Sequence, residues 1–193
     1  MCGRYTLANT ANFKKRFGII DKIPKFNESY NISPSTINPV IVRNSPNRVV
    51  LMKWGLVPFW AKDPKIGFRM INARAEDISI KPSFRKPIRV QRCLVPSAGF
   101  YEWKKLTLED RSERVPFYIK MKQNDIFSFA GIYDIWKDVS GHEMKTYAII
   151  TTSANSQMSE IHDRMPVILR KEDEDTYLTK EVFLEDILKL LKP

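Results

Sequence analysis

The stretch Arg92-Cys93-Leu94-Val95-Pro96-Ser97-Ala98-Gly99-Phe100-Tyr101-Glu102-Trp103-Lys104 carries the reading of the fold. Residues 92–95 and 100–104 are apolar, β-branched or aromatic enough for strands, and Pro96-Ser97-Ala98-Gly99 between them reads as a turn. Downstream, residues 105–114 form a charged loop, and 116–122, 126–135 and 145–151 read as three more strands. Asn124-Asp125 and Ser140-Gly141 mark the turns between them. Upstream, 49–56 is another strand, followed by a loop bracketed by Pro58 and Pro64. Residues 19–47 are rich in Asn, Ser and Pro and read as loop with one strand at 39–43, while 3–7 form a short strand. A brief helix is expected over 10–17, with Asn9 or Thr10 as N-cap and Gly18 just past its end. Two terminal helices are expected at 171–178 and 182–191. Strands joined by short turns, without alternating helices, imply a single α+β domain built on an antiparallel sheet. Whether that sheet closes into a barrel is left open by the pattern alone.

At 193 residues the chain corresponds to about 1.3 typical domains. Its 43% hydrophobic and 28% charged composition is that of an ordinary globule and excludes wholesale disorder. A formal net charge of +10 points to a polyanionic partner. Cys2 and Cys93, with His142 and His162, are too few and too scattered for a structural zinc site. The N-terminus has no apolar signal-peptide core, and no apolar run nears the ~20 residues of a membrane span. These features predict a cytoplasmic protein that is not secreted, with no metal, no cofactor and no membrane partner.

Cys2 is the first chemical candidate. When the second residue is small the initiator Met is normally removed, leaving one cysteine with an α-amine and a thiol. An α-amine has a reference pKa of about 7.7–8.0 against about 10.4 for lysine, so far more of it is uncharged at neutral pH. Amine and thiol two carbons apart trap an aldehyde, first as an imine and then, by sulfur closure, as a five-membered thiazolidine. Position alone proves little, since Met-Cys also begins chains by chance. His162, in Ile161-His162-Asp163-Arg164-Met165-Pro166 after the hydroxyl cluster Thr151-Thr152-Ser153, suits proton transfer or a solvated loop. Glu102, between aromatics, reads as a desolvated general acid or as the polar face of a strand. In Ile71-Asn72-Ala73-Arg74-Ala75-Glu76, strand alternation would put Asn72, Arg74 and Glu76 on one face, either to grip a polar substrate or as a surface ladder. Trp54, Phe59 and Trp60, beside Pro58 and Lys62, read as a base-stacking surface, with a core under a loop as the alternative.

Taken together these segments resemble one family, the SOS-response-associated peptidase (SRAP) domains that crosslink to abasic sites in DNA. Met1-Cys2-Gly3-Arg4-Tyr5, Tyr30-Asn31-Ile32-Ser33-Pro34, Trp54-Gly55-Leu56-Val57-Pro58 and the Asn72 and Glu102 segments match in order. Ala130-Gly131-Ile132-Tyr133-Asp134, Thr151-Thr152-Ser153-Ala154-Asn155 and the His162 segment complete the set. Residues 19–29 and 105–114 match no motif, and relatives of the family continue past Pro193, which suggests a short or truncated C-terminus. The resemblance implies a barrel-like antiparallel sheet with peripheral helices and a monomer that binds single-stranded DNA during the damage response. It implies a thiazolidine between Cys2 and the ring-opened abasic sugar. Asn72 would position the reactants, Glu102 would open the sugar, and His162 would move protons. Arg4, Arg74 and Arg164 would hold phosphates, Trp54, Phe59 and Trp60 would pack on bases, and Thr151 would join the DNA-binding set. Weak lyase activity and self-processing of Met1 are further implications.

Three rival readings fit some of the same residues: an amidohydrolase such as a class II glutamine amidotransferase, which also begins Met-Cys-Gly; a cysteine peptidase with a Cys2–His162 dyad; and a non-enzymatic single-strand binder. Arg4-Tyr5 and the short chain weigh against the first, and the basic charge with loop aromatics weighs against the second.

Overall fold

The computed structural model describes residues 2–43, 46–107 and 112–193. Its strands are β1 (Arg4–Leu7), β2 (Ser29–Ile32), β3 (Ile37–Val42), β4 (Arg48–Trp54), β5 (Asn72–Arg74) and β6 (Arg92–Ser97). They continue with β7 (Gly99–Thr107), β8 (Ser112–Ile119), β9 (Phe127–Lys137), β10 (Glu143–Ser153), β11 (Arg164–Pro166) and β12 (Ile168–Leu169). Short helices α1 (Phe13–Arg16), α2 (Pro87–Val90), α3 (Glu174–Leu178) and α4 (Leu184–Lys189) lie between or after them.

Following the pairings β10–β4–β3–β6–β9 and back to β10 closes a ring, so the larger sheet is a barrel. A second sheet, in the order β2-β1-β7-β8, is wholly antiparallel. The expected α+β fold with a mainly antiparallel, barrel-like sheet is the one observed. The departure is β10, which runs parallel to both β4 and β5.

Closure depends on filling the interior with large side chains. Trp54, Tyr5, Tyr147 and Phe129 are fully buried, and burying each stabilises by about 1.5–3 kcal/mol. The Tyr5 ring meets Trp54 edge-on at 5.2 Å and Phe129 at 6.0 Å. Two phenols so deep need partners: Tyr5 Oη and Tyr147 Oη lie 2.8 Å apart, and Asn38 Nδ2 donates to Tyr147 Oη at 3.2 Å. The C-terminal helices are pinned to the barrel by Tyr177, whose Oη donates to the Gly131 carbonyl at 2.8 Å. The buried Arg92 guanidinium adds donations to the carbonyls of Tyr177, Ile88, Arg89 and Thr179.

The segment read as strand, turn, strand is a different object. β6 runs through Pro96 to Ser97 and β7 begins at Gly99, so Ala98 alone separates them. β6 belongs to the barrel and β7 to the second sheet, so the chain bends from one sheet into the other instead of forming a hairpin. The bend is stapled to β1, since Ala98 N–H donates to Thr6 O at 2.8 Å and Ser97 Oγ donates to the same oxygen at 3.2 Å. Gly99 allows a close approach, since a Cβ there would sit 2.5 Å from Tyr118 Oη and the Tyr118 ring would have to shift.

Other expectations shift by a few residues. The region 19–47 holds two strands, β2 and β3, where one was expected. The charged loop expected at 105–114 is mostly the β7–β8 ribbon, with 108–111 outside the described residues. The first helix splits into a 3₁₀ turn at Thr10–Asn12 and α1, with Asn9 at a left-handed φ of 60° and Gly18 past the end at φ +62°.

Candidate active site and nucleic-acid interface

Three strands of the two sheets bring the scattered candidates together. β1 pairs antiparallel with β7, Arg4 opposite Tyr101, which carries the chain's first residues alongside Glu102. β10 supplies the other two positions. Its end pairs with β5 (Ile149 opposite Asn72, Thr151 opposite Arg74) and with β11 (Thr151 opposite Pro166, Ser153 opposite Arg164). Since Thr151 pairs with both, β5 and β11 flank β10 on opposite sides, and His162 stands two residues ahead of β11.

Cys2 is completely buried. Asn72 Nδ2 donates to the Cys2 carbonyl at 3.0 Å, a bond that spans 70 residues of sequence. Because a carbonyl can only accept, the amide must present its nitrogen there. That orientation leaves Asn72 Oδ1 buried with no hydrogen-bond partner among the described residues. The Cys2 thiol points toward the Arg4 carbonyl, 3.9 Å away. Its pKa is pushed far up, first by burial and then by the negative charge of Glu102 beside it. Glu102 itself is buried on β7.

Glu102 also lines a cavity of about 370 Å³ with Trp103, Lys105, Arg114, Ile161, His162 and Asp163. The His162 side chain is partly exposed there. His162 Nδ1 accepts from the Arg164 backbone N–H at 3.0 Å and lies 2.7 Å from Asp163 Oδ1. Nδ1 bare accepts the first of these and Nδ1 protonated donates to the second, so either protonation state has a partner waiting.

The remaining candidates divide. Arg164 makes a two-pronged salt bridge, Nη1 and Nη2 to the Glu76 oxygens at 2.5 and 2.9 Å, and donates to Thr151 O at 2.9 Å. Its guanidinium holds the Glu76 carboxyl below the usual carboxylate range. Glu76 falls in a 3₁₀ turn that begins at Ala75, so it leaves the strand face expected to carry Asn72, Arg74 and Glu76 together. Arg4 reaches Asn31 Oδ1 at 3.5 Å, and Arg74 is exposed.

Two of the expected DNA contacts are corrected. Trp54 is fully buried with its Nε1 donating to Ile71 O at 2.9 Å, so its ring belongs to the core and offers no face to a base. Thr151 is likewise buried, and its hydroxyl serves Arg164 at 3.3 Å.

Phe59 and Trp60 do stand out, 53% and 47% exposed. Their loop is firmly held. Val57 N–H donates to Thr146 Oγ1 at 2.8 Å, Phe59 N–H to Asp134 Oδ2 at 2.9 Å, and Trp136 Nε1 to Ala61 O at 2.7 Å. The sequence reading missed Asp134 and Thr146 in this role. It also missed Lys105 and Arg114 at the cavity, although alternation along a strand from Trp103 would have put Lys105 on the same face.

Among the described residues, no group of three or more His, Cys, Asp or Glu side chains is arranged to hold a metal, and no helix is long and apolar enough to cross a membrane.

With this geometry in view, comparison with known proteins is specific. The family profile described as SOS response associated peptidase (SRAP) matches residues 1–193. Abasic site processing protein YoqW of Bacillus subtilis (strain 168) is 46% identical over 198 residues, covering 100% of this chain and 87% of that one. Abasic site processing protein HMCES of Rattus norvegicus is 32% identical over 208 residues, covering 88% of this chain and 58% of its own length. A crystal structure of a protein from Bacteroides thetaiotaomicron superposes with a TM-score of 0.90 at 35% identity, covering 100% of this chain and 87% of that one.

Proposed function

The chain belongs to the SOS response associated peptidase (SRAP) family, and from that premise we propose that it processes abasic sites in single-stranded DNA by bonding them covalently to Cys2. The observation that carries the reading is the convergence on the first residues of the chain. Asn72 holds the Cys2 carbonyl, Glu102 acts electrostatically on the Cys2 thiol, and His162 shares a cavity with Glu102. The names of the relatives YoqW and HMCES agree with this substrate.

The chemistry begins with loss of Met1, which turns the Cys2 amide nitrogen into a primary amine. The Glu102 carboxylate takes the proton of the anomeric hydroxyl and passes a proton to the ring oxygen of the abasic sugar, opening the ring to the aldehyde. The amine adds to the carbonyl carbon and water leaves, giving a protonated imine. The thiol sulfur then adds to the imine carbon and releases a proton, closing the thiazolidine. The net change is one water lost, with no oxidant or reductant needed. His162, with a partner for Nδ1 in either protonation state, carries the protons of these steps. Asn72 fixes Cys2 near the attack geometry, and its unpartnered Oδ1 is available to a substrate hydroxyl or the liberated amine. The imine also permits β-elimination, which would appear as minor strand cleavage.

Intact mass measurement tests the whole sequence. The free protein is expected without Met1, and after mixing with a single-stranded oligonucleotide bearing one abasic site it is expected at the summed mass less one water. Cys2→Ala is expected to form no such conjugate while still binding the strand. A conjugate formed at full yield by Cys2→Ala, or by protein retaining Met1, would overturn the proposal.

A further inference from the structure

The far half of the β7–β8 ribbon, within the stretch 105–114 that matches no sequence motif, places two cations at the cavity that Glu102 and His162 line. Lys105 lies directly opposite Arg114 in the antiparallel register, and both line that cavity. Like charges facing each other across a ladder are destabilising. Neither side chain has a salt bridge or hydrogen bond among the described residues to offset that repulsion. The arginine nearest in role, Arg164, is by contrast held by Glu76. A pair of cations facing across two strands, with no salt-bridge partner among the described residues, is suited to an anion, and Arg and Lys both favour phosphate oxygens.

We infer that Lys105 and Arg114 together bind one phosphodiester of the strand, adjacent to the sugar that enters the cavity. The inference rests on the proposed function for the identity of the strand, and it adds the subsite that sets how the lesion is threaded past Glu102. The two carboxylates in the same lining, Glu102 and Asp163, repel a phosphate from their side of the cavity. Asp163 is already engaged with His162. The anion is therefore held at the Lys105–Arg114 wall, and the uncharged sugar goes to the carboxylates.

The test uses the full-length protein and the Lys105→Gln/Arg114→Gln double variant. Crosslinking to an abasic single strand is followed over DNA concentration and salt. The variant is expected to need about 10-fold more DNA for half-maximal rate at low salt, as for removal of a charge-assisted hydrogen bond. The maximal rate is expected to stay within about twofold, and the log–log salt dependence to become shallower by about 0.7 for each phosphate no longer neutralised. A neutral methylphosphonate placed next to the lesion is expected to weaken wild type by the same factor and to leave the variant unaffected. Thermal stability of the variant is expected to be equal or higher, since a repulsion is removed, whereas a structural role would lower it.

Normal wild-type crosslinking with an unchanged concentration dependence and salt slope in the variant would overturn the subsite and leave the proposed function standing. Should wild type form no crosslink at all, the proposed function fails. Equilibrium binding of an intact single strand then still decides the subsite, through the same difference in salt slope.

Discussion

Replacing Asn72 by Ala removes one hydrogen bond, Nδ2 to the Cys2 carbonyl at 3.0 Å, and leaves that buried acceptor unsatisfied. Stranding such a group costs about 1–3 kcal/mol. The bond joins the chain's first residues to β5, so its natural consequence is loss of register between Cys2 and the cavity. If the whole cost falls on the crosslinking transition state, the rate drops about 5- to 150-fold, at 1.4 kcal/mol per factor of ten. Part of it also falls on the fold, and at this chain length each kcal/mol lowers the melting temperature by about 2–4 °C. The assay is single-turnover crosslinking with protein in excess over an abasic single strand, sampled over time on denaturing gels beside a thermal melt. Asn72→Asp is the sharper control, since it keeps the shape and turns a carboxylate oxygen toward the carbonyl. It is expected to be at least as slow as Asn72→Ala. A crosslinking rate within about twofold of wild type in Asn72→Ala, whatever the melt shows, would refute the positioning argument.

Two aromatic substitutions separate core from interface. Trp54→Ala is expected to destabilise by about 3–5 kcal/mol, because it empties a fully buried site and removes one of the two hydrogen bonds that the Ile71 carbonyl accepts, and calorimetry reads it directly. Trp60→Ala is expected to leave the melt nearly unchanged and to weaken single-strand affinity by about 1–3 kcal/mol, the worth of one base stack, as measured by fluorescence anisotropy. The Arg164–Glu76 bridge carries a pH signature. Glu76 has a folded-state pKa below its unfolded value, chiefly through its hydrogen bonds from Arg164. Its stabilisation is therefore present above the unfolded value of about 4.3 and disappears as pH falls through the lower folded value. With Glu76 half exposed, the effect is below about 1 kcal/mol. Urea denaturation of wild type and Glu76→Gln should give a constant difference above about pH 5.5 that shrinks in acid. A difference that grows as pH falls would contradict the assignment.

The strands with strong local signals were legible in the sequence. β1, β4, β9 and β10 lie within a few residues of their expected positions, and Gly18, Asn124 and Gly141 take the left-handed conformations their turns require. What was hidden depends on partners distant in sequence. β5, β11 and β12 are three, three and two residues long, too short for any period to show, and each exists because β9 or β10 pairs with it. Pro96-Ser97 carries turn residues and is nonetheless strand, because Ser128 and Phe127 of β9 lie opposite. Ordered motifs single out Cys2, Asn72, Glu102 and His162 as candidates, but they do not divide the aromatics. Trp54 and Trp60 stand six residues apart in one aromatic stretch, and only the barrel decides that the first is core.

The electrostatics of Cys2 bear on the order of bond formation and on the rival peptidase reading. A cysteine that attacks a peptide carbonyl needs a thiolate, which proteins secure with nearby cations that lower the thiol pKa. In the chain bearing Met1 the opposite has been built: burial and the Glu102 carboxylate both push the thiol up. His162, the base such a dyad would use, shares its cavity with Glu102 and Asp163, and its Nδ1 already faces the Arg164 N–H and Asp163. A buried neutral thiol is a poor first nucleophile but an adequate second one, because addition to a protonated imine needs no prior ionisation. The liberated α-amine, with its reference pKa near 7.7–8.0, has the uncharged fraction at neutral pH that a first attack requires. Nitrogen before sulfur is thus the order that this environment favours in the proposed crosslink, over thiol attack on a peptide carbonyl.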